Sequence, residues 1–187
     1  MHMDPKIVGL IVVVILVVAA AAMVIMQRRK AALRSRFGSE YERTVREHGS
    51  ERQAVSVLHE REKRVEKFHI RKLDAAERDE YAARWYQVQS RFVDDPRGAV
   101  IDADDTVASL MGALGYPMAD FEQRAADLSV DHAHVVDNYR AAHEIAVLHR
   151  KGQASTEDLR QAMIYYRSLF EDLLNGRKSE AIRKEVA

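Results

Sequence analysis

The chain carries two kinds of hydrophobic pattern, and they divide it. From Ile7 to Met26 twenty residues pass without a charge, IVGLIVVVILVVAAAAMVIM, and Arg28, Arg29 and Lys30 follow. Beyond them, apolar residues recur at helical spacing among charged ones. At about 1.5 Å per residue the first block reaches roughly 30 Å, the thickness of a bilayer's hydrocarbon core. It predicts an uncleaved transmembrane helix over 7–26. The competing reading is a cleaved signal peptide, with Ala19 to Ala22 as the small residues before the cut. The run is longer than the usual apolar region of about 7–15 residues in such peptides.

The rest reads as helices with recognisable ends. Gly38 is a helix stop. Ser39 with Glu42 has the spacing of a capping box and predicts a short helix to His48. Ser50 with Gln53 repeats that spacing and predicts a helix to about His69. Its stripe of Ala54, Val57, Leu58, Val65 and Phe68 is thin and broken by Arg61, so this helix is expected to be largely solvated or paired along one narrow seam. Asp74 with Glu77 opens the next helix, on which Tyr81, Trp85, Val88 and Phe92 recur at i, i+4, i+7 and i+11. Trp85 falls on the apolar stripe and Tyr86 off it. Asp94, Asp95 and Pro96 stop one helix and start another, which ends at Gly115-Tyr116-Pro117.

A short helix is expected around Phe121, Ala125 and Leu128. Ser129 or Asp131 is expected to begin the following one, with Val135, Val136, Tyr139, Ala142, Ala146 and Val147 inside. Ser155 or Thr156 opens the last, which ends at Asn175-Gly176. No stretch alternates as a strand with hairpin turns. The predicted fold is all-α: an N-terminal transmembrane helix, then a helical connector and a compact helical bundle. The expected layout is a tail and anchor in 1–26, a basic helical connector in 27–72, the bundle in 73–176 and a charged tail in 177–187. Whether the connector packs on the bundle is left open.

Charge adds an orientation. The net charge is zero, yet residues 1–72 hold 15 Lys/Arg against 8 Asp/Glu and residues 73–187 hold 14 against 21. The cations cluster after the span, at Arg28, Arg29, Lys30, Arg34 and Arg36, with no acid until Glu40. The positive-inside rule places that flank in the cytoplasm and the N-terminus outside. The same five residues are the expected contacts with the membrane surface, where anionic lipid headgroups attract cations. The chain has no cysteine, which removes disulfides and thiolate zinc sites. Nucleic-acid binding is not expected, because the bundle is acidic.

Candidate chemistry is sparse. Asp131, His132 and His134 are the residues most like metal ligands, but His132 and His134 point about 200° apart on a helix, and a metal pair wants i and i+4. Asp131 is explained as an N-cap and His132 as a first-turn residue. Asp102, Asp104 and Asp105 read as a solvated helix face, since the glycine and terminal Glu of a calcium loop are missing. Tyr116, Tyr139, Tyr165 and Tyr166 read as packing residues with hydroxyls reaching the surface. No phosphate-binding glycine loop, nucleophile elbow or kinase signature occurs, so neither a catalytic residue nor a cofactor is assigned.

Three stretches, RWYQVQSRFVDDPRGAVIDAD, GYPMADFEQRAADLSVDHAHVVDNYRAAHEIA and ASTEDLRQAMIYYRSLFEDLL, together resemble an uncharacterised family of bacterial proteins with one N-terminal membrane helix, found among high-GC soil bacteria. The resemblance covers roughly residues 34–175. It implies a bacterial, single-pass protein and transfers no active-site residue. The expected function is a non-enzymatic interaction or scaffold module tethered to the bacterial cytoplasmic membrane, with an unidentified protein partner or a second copy of itself. The alternative is a membrane-anchored small-ligand or metal sensor with a pocket near His132, His134 and Tyr139.

Overall fold

The computed structural model describes residues 5–176, with side chains described for Gly9 and from Val13 onward. The expected tails 1–4 and 177–187 lie outside the described residues. The described chain is all helix, with no strand. It divides into two compact units, residues 1–36 and 37–187.

The first unit is built on one long helix, α1 (Pro5–Phe37). Its large apolar side chains from Val13 to Met26 are exposed. Among the described residues no helix is long and apolar enough to cross a membrane. Five residues of the expected span, Ile7, Val8, Leu10, Ile11 and Val12, are not among those whose side chains are described.

The second unit holds α2 (Ser39–His48), α3 (Glu51–Val65), α4 (Ala75–Asp94), α5 (Pro96–Leu114), α6 (Phe121–Asp131), α7 (Ala133–Arg150) and α8 (Thr156–Asn175). Its centre is α5, α7 and α8, where Val107, Leu110, Val136, Ala142, Leu159, Tyr166, Leu169 and Phe170 are almost wholly buried. Burying each of the large side chains is worth roughly 1.5–3 kcal/mol. α4 lies against α5 and seats Trp85 flat on Phe170 of α8, with ring centroids 4.6 Å apart. The hairpin of α2 and α3 packs on α6 and α7. The compact unit thus begins at Phe37 rather than after residue 72, and the expected connector is largely part of it.

Local chemistry fixes most of the ends. Asp74 and Glu77 form the reciprocal capping box, as do Ser155 and Asp158. The Asp95 carboxylate accepts from the Gly98 amide at 2.9 Å, with Pro96 in the first turn of α5. Gly115 closes α5 at φ 97°, where its amide donates to the Gly112 carbonyl. A Cβ there would lie 2.4 Å from the His69 carbonyl oxygen, so glycine is needed twice over, for its backbone and for the close approach of the 66–74 loop. That loop is tied down by the Arg71 amide, which donates to the Leu114 carbonyl at 2.9 Å.

Four local expectations are corrected. Ser39 caps nothing: Gly38 takes the cap position at φ 52°, the turn from α1 needs that one residue, and Ser39 already lies inside α2. Ser50 stands at the cap of α3 but makes no side-chain cap bond, and α3 stops at Val65, four residues short of His69. α6 runs on through Ser129 and Asp131, so neither opens α7; His132 ends one helix and starts the next. Arg61 does not break the face of α3. Ala54, Leu58, Arg61 and Val65 are all buried on it, at i, i+4, i+7 and i+11, because the guanidinium finds partners inside.

Candidate functional site

Three groups of polar side chains are drawn inward in the second unit. The first answers where the sequence-predicted ligands go. The break at His132 between α6 and α7 turns His132 and His134 toward one carboxylate, Asp172 of α8. His132 Nδ1 lies 2.5 Å from Asp172 Oδ2 and His134 Nε2 lies 2.8 Å from Oδ1. The i, i+2 spacing that puts these histidines on opposite sides of a helix is no obstacle here, since His132 is not in the helix. Burial pushes the Asp172 pKa up, but the hydrogen bonds and charge of His132, then of His134, more than reverse this and hold it below the ordinary carboxylate value. Asp131 is half-buried at the end of α6. Tyr139 does not join the Asp172 contact: its ring packs 4.9 Å from Phe121 and 6.5 Å from Tyr166.

The spacing at Asp172 is that of hydrogen bonds. Two ligand atoms on one zinc, each about 2.0–2.1 Å from the ion, stand about 3.3 Å apart. Among the described residues no group of three or more His, Asp or Glu side chains is arranged to hold a metal ion.

The second group was hidden from sequence reasoning. Glu40 of α2 is fully buried and faces three arginines, one of them Arg43 of its own helix at 3.7 Å. Arg140 Nη2 of α7 lies 3.2 Å from Glu40 Oε1, and Arg61 Nη1 of α3 lies 3.6 Å from Oε2. Arg140 also donates to Glu122 Oε2 at 2.7 Å, and Arg61 to Ser129 Oγ at 3.3 Å. Beside them Arg64 of α3 donates to Asp127 of α6 at 2.8 Å, where Gln123 donates as well. Burial pushes the Glu40 pKa up, and Arg140 and Arg61 only partly reverse it. This group staples α2 and α3 to α6 and α7.

The third group sits in the core. The hydroxyls of Tyr139 and Tyr166 do not reach the surface as expected; both are buried, as is Asp104 Oδ1 of α5, and the Asp104 carboxylate acts on Tyr166. Burial, opposed by Arg124 and aided by Asp104, pushes Tyr139 up to about 12, and burial with the Asp104 charge raises Tyr166 further. The acidic run is therefore divided among three roles. Asp105 is exposed, Asp102 pairs with Arg91 at 2.5 Å, and Asp104 turns partly inward. His143 stacks on Phe121 with ring centroids 3.6 Å apart.

In the first unit, Arg28, Arg29, Arg34 and Arg36 are exposed and Lys30 is half-buried. No protein family, curated protein or solved structure matches the chain. The resemblance of its three stretches to a bacterial family therefore rests on those residues alone.

Proposed function

We propose that the chain is a single-pass, membrane-tethered, non-enzymatic interaction module of the bacterial cytoplasmic membrane, with its N-terminus outside and the second unit in the cytoplasm. The observation that carries this is the exposed apolar surface of α1 from Val13 to Met26 ending at Arg28 and Arg29. Together with Ile7 to Val12 it makes an apolar run of bilayer length, and the cations after it orient it. Anionic headgroups add about 1 kcal/mol per cation lying near the surface. In the second unit the inward-facing carboxylates Glu40 and Asp172 are engaged with partners on other helices. That favours a rigid binding body over a reaction centre. Tethering confines such a body to the membrane plane and raises its effective concentration toward membrane partners.

The chain has no cysteine, so one introduced thiol reports topology. Ser90 is exposed on α4 and takes the Ser90→Cys change without a packing cost. With a membrane-impermeant maleimide, labelling is expected only after lysis, in a protein that stays in membranes through an alkaline carbonate wash. Labelling of intact cells reverses the orientation. Release by the wash removes the tether.

The second reading, a small-ligand or metal sensor, draws on the buried polar atoms of Asp104, Tyr139 and Tyr166. Stoichiometric metal in protein purified without chelator favours it.

A further inference from the structure

α4 and α8 meet along a groove lined by Gln89 and Phe92 on one side and by Arg160, Met163, Ile164 and Arg167 on the other. Its lining is mostly apolar. Val93 and Tyr86 are 83% and 71% exposed, the two most exposed large apolar side chains among the described residues of the second unit. On α4 they sit at i and i+7, with Gln89 between them on the same side. Such side chains left in water beside a groove mark a binding surface rather than scattered exposure.

The charge there runs against the charge of the unit. Residues 73–176 hold 10 Lys/Arg against 19 Asp/Glu, and α8 has four acids and two bases. Both bases line this groove. Their spacing of seven residues puts them on one face, two turns or about 10.5 Å apart. Among the described residues each pairs with a neighbour on its own helix, Arg160 with Glu157 at 2.6 Å and Arg167 with Glu171 at 2.6 Å, with both arginines more than half exposed. Such surface pairs add little stability and are exchanged readily for an incoming carboxylate. Arginine's planar fork then offers a paired hydrogen bond that an ammonium does not.

We propose that the groove between α4 and α8 receives an amphipathic, acidic helix of a partner protein. Its apolar stripe lies on Phe92, Met163 and Ile164, and two carboxylates about two turns apart meet Arg160 and Arg167. This is the helix-in-groove mode, in which apolar anchors give affinity and flanking charges set register and partner choice. The proposal rests on the reading of the second unit as an interaction module.

The test uses the full chain in phosphatidylcholine nanodiscs and two fluorescein-labelled 18-residue peptides. Both peptides carry a leucine stripe; one has Glu and the other Lys at the two flanking positions, and empty nanodiscs set the background. The Glu peptide is expected to bind at least tenfold more tightly than the Lys peptide. The Arg160→Glu/Arg167→Glu variant reverses that preference, and Ile164→Asp weakens both by tenfold or more, each with an unchanged melting curve because the sites are on the surface. Equal binding of the two peptides, or a preference unmoved by the charge reversal, overturns the proposal. So does a photo-crosslinker at Tyr86 that joins one copy of the chain to another in membranes, which makes the groove a self-interface. If the peptides fail while a crosslinker at the exposed Leu148 gives a discrete protein adduct, the module reading stands and this groove is not its site. If both fail, the module reading falls with it.

Discussion

Asp172 and Glu40 are both carboxylates drawn inward against basic side chains, and they behave in opposite ways. Asp172 takes one imidazole on each oxygen at hydrogen-bond distance, at the edge of the unit, and its pKa is lowered. Glu40 is wholly enclosed, its three arginines stand at 3.2, 3.6 and 3.7 Å, and its pKa is raised. The difference teaches that counting opposite charges does not predict whether a buried carboxylate stabilises a fold. Hydrogen-bond geometry and the extent of burial decide it. A contact at 2.5 to 2.8 Å offsets a partial loss of water, whereas longer contacts do not offset a complete one.

The largest expected effect comes from breaking the Glu40 group on one side. Arg140→Met keeps the apolar stem of the side chain but takes from the enclosed Glu40 its nearest arginine, leaving Arg61 and Arg43 at 3.6 and 3.7 Å. Removing one partner of a buried pair costs about 3–5 kcal/mol, read as a fall in the urea midpoint of the full chain in micelles. Adding Glu40→Gln to that variant is expected to restore part of the loss, because the stranded charge is gone. A loss below about 1 kcal/mol is what a solvated pair gives, and it would show that water reaches Glu40.

Asp172→Asn comes next. Two imidazole donors lose a charged acceptor, and bonds to charged groups are worth roughly 1.5–3 kcal/mol each way they are broken. The pH dependence follows from the lowered pKa. A carboxylate with a depressed folded pKa stabilises fully above its unfolded value, about 3.9 for Asp, and loses that contribution as pH falls through the folded value. The parent chain and Asp172→Asn should therefore differ at pH 7 and converge below about pH 4. A gap that persists unchanged to pH 2 would assign the loss to shape and not to charge.

These two groups also mark where the sequence is legible. The capping boxes at Asp74 and Ser155 need partners only three residues away, and both form. The stripe of α4 places Trp85 and Val88 in the core and Tyr86 in solvent, as the spacing implies. What reads wrongly depends on distant partners. Arg61 looks like a flaw in the face of α3 until Glu40 of α2 and Ser129 of α6 meet it. The histidines look mismatched until Asp172 arrives from 40 residues beyond His132. Tyr139 and Tyr166 look like ordinary amphipathic tyrosines, yet three packed helices close over their hydroxyls. Ser39 shows the reverse case, a local pattern overruled by a tighter turn at Gly38.

The smallest expected effect is the most discriminating. Glu40→Gln alone keeps the shape of the side chain and removes its charge. If ion pairing with Arg61 and Arg140 were a net gain, this change would cost as much as losing either arginine. A raised pKa says otherwise. A group that binds its proton more tightly in the folded state makes the fold most stable below its unfolded pKa, and that contribution is lost as pH rises through the folded pKa. At pH 7 the charged Glu40 is therefore the less favourable form, and Gln, which imitates the protonated one, is expected to leave the melting temperature unchanged or raise it. The same variant should flatten the parent chain's change in stability above pH 4.5, the ordinary carboxyl value from which burial raises Glu40. A clear fall in melting temperature would place Glu40 with Asp172, as a carboxylate whose partners more than offset its burial, and would erase the contrast between them.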